Sequence, residues 1–95
     1  MTKEEIIAGQ IYQAVYPRDK SVYIFEPVSN IGYKSYLRQD SVTYCKSEAK
    51  DFNFCQDFKV SPATPQQIRH FNACREAGKY VDIPKEEVIN SYQIF

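Results

Sequence analysis

The sequence predicts an α+β domain: a small, mainly antiparallel sheet of four or five strands or an SH3-like or OB-like partial barrel, with one amphipathic helix at about 65–77 packed on it and a short C-terminal helix. Three observations lead there. Short runs rich in Val, Ile, Tyr and Phe recur along the chain, separated by Pro, Gly, Asn and Asp. One segment carries a full set of helix start and stop signals. The chain has 95 residues, 43% of them hydrophobic and 25% charged, which suits a single globular domain over 1–95.

The elements follow in order. Thr2-Lys3-Glu4-Glu5 has the form of a capping box, so a helical turn is expected near residues 2–7. Gly9 interrupts that pattern, and the β-branched and aromatic residues up to Tyr16 predict a strand at about 9–16. Pro17-Arg18-Asp19-Lys20 reads as a turn, with Pro fixing φ and Asp supporting the bend. The run from Ser21 to Val28 is the strongest strand, apolar on both faces until Glu26 and ended by Pro27. Together they read as a hairpin. Ser29-Asn30-Ile31-Gly32 is a loop.

Tyr33 to Leu37 and Ser41 to Cys45 read as two strands, or as one long strand bent at Gln39-Asp40. Lys46 to Lys50 is polar and expected to be a loop. From Phe52 the pattern has period two: Phe52, Phe54, Phe58 and Val60 share one face, with Gln56 the polar exception. That predicts a half-buried strand, bulged at Gln56-Asp57. Thr64 is then a good N-cap, Pro65 sits at the first helical position, and Gln67 completes a capping box. Ile68, Phe71 and Cys74 fall on one helical face, Arg69 and Glu76 on the other, and Gly78 is placed to end the helix. Lys79 to Val81 is expected to return as an edge strand, and Pro84 to Tyr92 to form the terminal helix. The expected core is Ile11, Val15, Val22, Ile24, Leu37, Val42, Phe54, Phe58, Val60, Ile68, Phe71 and Cys74.

Pro62-Ala63-Thr64-Pro65-Gln66-Gln67, with Phe71 and then Ala77-Gly78-Lys79-Tyr80, resembles an ending that recurs in small phage and prophage proteins of gut bacteria. Their front half carries an opening like Gly9-Gln10-Ile11-Tyr12 and a strand like Tyr23-Ile24-Phe25. This chain departs from them in having Pro65-Gln66-Gln67 where acidic residues are usual, and Val81-Asp82 after the Tyr. The resemblance implies a small β-plus-helix protein of mobile-element origin and brings no activity and no site residues.

Composition narrows the function classes. Twelve Lys and Arg balance twelve Asp and Glu, so the excess of basic charge that marks a dedicated nucleic-acid binder is missing. No apolar run approaches the ~18–20 residues of a membrane span, and the polar, acidic start does not read as a secretory signal, so no membrane partner and a cytoplasmic location are expected. The three cysteines include no Cys-x-x-Cys, which fits free thiols in a reducing compartment.

A zinc reading uses Cys45, Cys55, His70 and Cys74, because His70 and Cys74 at i and i+4 on a helix can converge on one ion. The wide Cys45–Cys55 spacing counts against it, and Cys74 also belongs to the apolar stripe, so buried thiols are the preferred reading. No phosphate loop, HExxH or GxSxG pattern occurs, and the carboxylates show no paired spacing; the expectation is a non-enzymatic protein without a cofactor. Tyrosine and basic residues interleave at Tyr12, Tyr23, Tyr33, Lys34, Tyr36 and Arg38, the candidate binding residues. Eight Tyr and six Phe suit a protein-binding surface, so a protein-interaction or accessory module is expected, with a protein partner or a second copy of the chain as its ligand. The alternative is a small β-barrel that stacks single-stranded nucleic acid on those rings. Ser91-Tyr92-Gln93-Ile94-Phe95 is expected to dock on the core or across a dimer.

Overall fold

The computed structural model describes residues 1–83. The expectations for a helix at 84–92 and for docking of residues 91–95 lie outside the described residues. A 3₁₀ turn over Lys3–Glu5 is capped by Glu5, whose carboxylate accepts from the Thr2 backbone N–H at 2.7 Å. Five strands follow: β1 Tyr12–Val15, β2 Val22–Pro27, β3 Tyr33–Arg38, β4 Thr43–Cys45 and β5 Lys59–Pro62. Two helices complete the order, the single turn α1 Phe54–Asp57 and the longer α2 Pro65–Ala77. The strands pair antiparallel in the order β4-β3-β2-β1-β5. The sheet is open, since β4 and β5 lie at opposite edges, so the sheet and not the partial barrel is the form adopted.

The turn between β1 and β2 is built as its residues require. Asp19 accepts from the backbone N–H and the hydroxyl of Ser21 at 3.0 and 2.7 Å, which holds its carboxyl below the usual carboxylate range. The bounds of α2 match its sequence signals. Gln67 N–H donates to the Thr64 hydroxyl at 3.1 Å, Thr64 N–H donates to the Gln67 side chain at 2.8 Å, and Gly78 takes the left-handed conformation at φ 74°. The helix is pinned to the sheet at both ends, by Gln67 to Gln13 at 3.1 Å and by Arg75 to Glu26 at 2.9 Å.

Both faces of the sheet are apolar. On one, α2 seals Ile11, Ile24, Leu37 and Ala63 under Phe71 and Cys74, with Val22, Tyr44, Ile68, Tyr80 and Val81 at the margins. On the other, Tyr12, Ala14, Phe25 and Val60 pack with Phe54 of α1, and among the described residues no long helix covers them. This division places the candidate site.

Four expectations are corrected. The strand read from Phe52 through Val60 is α1 followed by β5. Asn53 caps the turn by accepting from Cys55 N–H at 3.1 Å. Phe54 and Phe58 are four apart, a spacing that keeps two side chains on one face in a helix as well as in a strand, so periodicity could not separate the two. Lys79 to Val81 forms no strand; Val81 is tied to α2 instead, its carbonyl 2.7 Å from His70 Nε2. Tyr12 is 1% exposed and belongs to the core, its hydroxyl accepting from Ile7 N–H at 2.9 Å, so it is no surface binding residue.

Val42, expected in the core, is 63% exposed in the β3–β4 turn at φ 52°. A β-branched residue is strained there, because its Cβ crowds the backbone. Val42→Asn, which tolerates the left-handed region and gives up no packing, should stabilise the protein by about 1 kcal/mol and raise Tm by about 4–8 °C. A thermal melt checks this, and an unchanged or lower Tm would show that the turn carries no such strain.

Candidate interaction site

The face opposite α2 carries a pocket of about 230 Å³ lined, among the described residues, by aromatic side chains alone: Tyr23, Tyr33, Tyr36, Phe52, Phe54 and Phe58. Phe54, buried, touches four of the others, with ring centroids 4.6 Å from Phe52, 5.2 Å from Phe58, 5.6 Å from Tyr33 and 6.4 Å from Tyr23. Most neighbouring rings meet edge to face: Tyr23 and Phe58 at 89°, Tyr33 and Tyr36 at 82°, Tyr33 and Phe52 at 79°. That is the arrangement ring quadrupoles prefer, so the walls hold one another in place.

Two backbone features assemble these rings. Glu26 pairs with Ser35 but Pro27 pairs with Tyr33, leaving Lys34 as an extra residue in β3. Pro27 has no N–H to continue the ladder, and the bulge resets the alternation so that Tyr33 and Tyr36, three apart, serve the same face. The second feature is a backbone clamp. Tyr33 exchanges hydrogen bonds with Ala49 at 2.7 and 2.9 Å, and Gly32 N–H donates to the Phe52 carbonyl at 2.8 Å. Gly32, at φ 87°, lies where a Cβ would come within 2.5 Å of the Ala49 carbonyl oxygen. Only glycine permits the loop before α1 to close on β3 and bring Phe52 beside Tyr33.

Arg38 stands at the rim. Its guanidinium lies 4.7 Å from the centre of the Tyr23 ring, donates to the Tyr23 hydroxyl at 3.3 Å, and pairs with Asp40 at 2.8 Å. Cys45 faces Tyr36 across the β3–β4 pair. Hydrogen bonds from Ser47 lower the Cys45 thiol pKa, while burial and the neighbouring Cys45 push the Tyr36 hydroxyl up.

Of the sequence-derived binding residues, Tyr23, Tyr33 and Tyr36 line the pocket, Arg38 borders it, Lys34 is the exposed bulge residue and Tyr12 is core. Phe52, Phe54 and Phe58 are the lining residues that sequence reasoning assigned to a strand rather than to a site. Three phenylalanines within seven positions were the available signal. The zinc candidates do not assemble. Cys74 lies on the buried face of α2, and both nitrogens of His70 are engaged, Nδ1 2.8 Å from the Gln39 amide nitrogen and Nε2 on the Val81 carbonyl. Cys45 and Cys55 belong to the opposite face, with Tyr36 and Phe54. Among the described residues, no group of three or more His, Cys, Asp or Glu could hold a metal ion, and no helix is long and apolar enough to cross a membrane.

No protein-family model matches the chain, and no curated protein and no solved structure matches it significantly.

Proposed function

We propose that this is a non-enzymatic protein-interaction module and that the aromatic pocket is its working surface. The observation that carries the reading is the set of three tyrosines and three phenylalanines around an open concavity, on the sheet face that α2 leaves free. Aromatic anchors dominate protein interfaces because each ring buries a large area at little cost in rotamer entropy. A cytoplasmic location and a mobile-element origin belong to the same proposal, the latter on the Ala63-Thr64 helix cap and the Tyr23-Ile24-Phe25 strand alone.

The single-stranded nucleic-acid reading draws on Tyr23, Tyr36 and Arg38 sharing this face. It is the weaker account, because Arg38 is already paired with Asp40 and Lys34 does not line the pocket. Display of a random peptide library on the wild-type protein and on Phe52→Ala tests the proposal; Phe52 is 37% exposed, so its loss spares the core. Peptides should be enriched by the wild type and not by the variant. Enrichment independent of Phe52, or tight and steeply salt-dependent binding of labelled oligo-dT by fluorescence anisotropy, would overturn it.

A further inference from the structure

We infer that the aromatic pocket takes a weakly hydrated organic cation, a guanidinium or methylated ammonium group, presented on an apolar segment of the partner protein. The inference rests on the reading of this face as protein-binding and names the chemistry that the face selects. Three observations carry it.

The first is the lining. Aromatic ring faces carry partial negative charge and attract cations, and all six side chains that line the pocket are aromatic. The second is internal: the Arg38 guanidinium already lies 4.7 Å from the centre of the Tyr23 ring, so one cation of the chain itself is bound by this face in the way proposed for the ligand. The third is the charge around the pocket. Arg38 is matched by Asp40 at 2.8 Å and lies within the field of Asp19 as well, so two carboxylates answer one cation. Glu4 and Glu5, opposed by the single positive charge of the N-terminal ammonium, lie within electrostatic reach of Cys55, which packs on the same face. An incoming phosphate meets a surplus of negative charge here and an incoming cation meets complementary charge.

The apolar walls decide which cation. Three phenolic hydroxyls, one of them already engaged by Arg38, are too few to replace the tightly held water shell of a bare ammonium, so the cation that enters must surrender its water easily. Guanidinium and methylated ammonium groups do so. The pocket, of about 230 Å³, has room for such a head group.

The probe is the blocked amino acid N-acetyl-trimethyllysine methylamide, compared with its uncharged isostere in which carbon replaces the quaternary nitrogen. Two-dimensional NMR of the labelled protein follows the backbone amides of Tyr23, Tyr33, Phe52 and Phe58. The charged probe should shift them saturably and bind at least about tenfold more tightly than the isostere. Phe52→Leu, which keeps an apolar side chain but removes a ring, should erase most of that preference while leaving the isostere's affinity unchanged. Equal affinity for the two probes, saturable shifts confined to other residues, or no saturable shift would overturn the inference. So would a dimer by analytical ultracentrifugation that Phe52→Leu dissociates, since a second copy would then fill the pocket. The two readings fail differently: peptides that need Phe52 but carry no Arg or Lys would sink the cation and leave the protein-binding surface, whereas no Phe52-dependent enrichment would sink both.

Discussion

Gly32→Ala should lower the stability of the protein by about 2–4 kcal/mol and disable the aromatic pocket with it. The substituted residue would have to hold φ 87°, a conformation L-residues avoid, with its Cβ 2.5 Å from the Ala49 carbonyl oxygen and 2.8 Å from that of Lys50. Both obstacles are backbone atoms, so no side chain can swing aside. The loop must move, and the bond from Gly32 N–H to the Phe52 carbonyl moves with it. At about 4–8 °C per kcal/mol for a domain of this size, Tm should fall by about 8–32 °C. Gly9→Ala is the control, since Gly9 also has a positive φ, 91°, but open space where the Cβ would sit. Its cost should be limited to the strain of the left-handed region, about 1–2 kcal/mol, with the pocket unaffected. Equal melting temperatures for the two variants would show that the clamp on residues 49–52 does not depend on glycine at position 32.

His70→Leu should cost about 2–5 kcal/mol through a different mechanism, the loss of the hydrogen bonds that a fully buried ring makes to two other parts of the chain. His70 is 0% exposed and joins three parts of the chain: α2, which carries it; the β3–β4 turn, through Gln39; and the segment after α2, through Val81. The Val81 carbonyl can only accept, so Nε2 carries the proton and donates, and Nδ1 accepts from the Gln39 amide. Leucine fills much of the volume but leaves that amide unmatched and that carbonyl with only the weak Cys74 thiol donor at 3.7 Å, each loss worth about 1–3 kcal/mol if the group stays buried. Urea unfolding measures the loss, and cleavage by trypsin after the exposed Lys79 should accelerate as the segment around Val81 comes free. Binding of the cationic probe should persist in the folded variant, because His70 and the pocket lie on opposite faces of the sheet. Stability and Lys79 cleavage both unchanged from wild type would mean that the histidine is a space filler.

These two residues mark the limits of what was legible along the chain. Gly32 read as an ordinary loop glycine, because the carbonyls that exclude a Cβ come from residues 17 and 18 positions further on. His70 read as a candidate metal ligand beside Cys74, because the i, i+4 spacing was visible and its partners Gln39 and Val81 were not. Cys74 instead accepts from Val81 N–H at 3.5 Å, so the pair fastens the chain after the helix. The three tyrosines of the pocket were singled out, but an alternating β3 would have sent Tyr33 and Tyr36 to opposite faces. The bulge at Lys34 joined them, and it follows from Pro27 on the neighbouring strand.

What the sequence determined by itself is whatever depends on near neighbours. The Thr64 cap, Pro65, the Gln67 reach-back and Gly78 set both ends of α2, since each acts within a few residues of its own position. The Asp19 turn and the β1–β2 hairpin are local in the same sense. The sheet order, the open edges, the helical turn inside Phe52–Val60 and the closing of six rings into a pocket were decided only by the tertiary structure. Each depends on contacts between residues far apart in sequence, and one spacing of apolar side chains suits several such arrangements until packing selects among them.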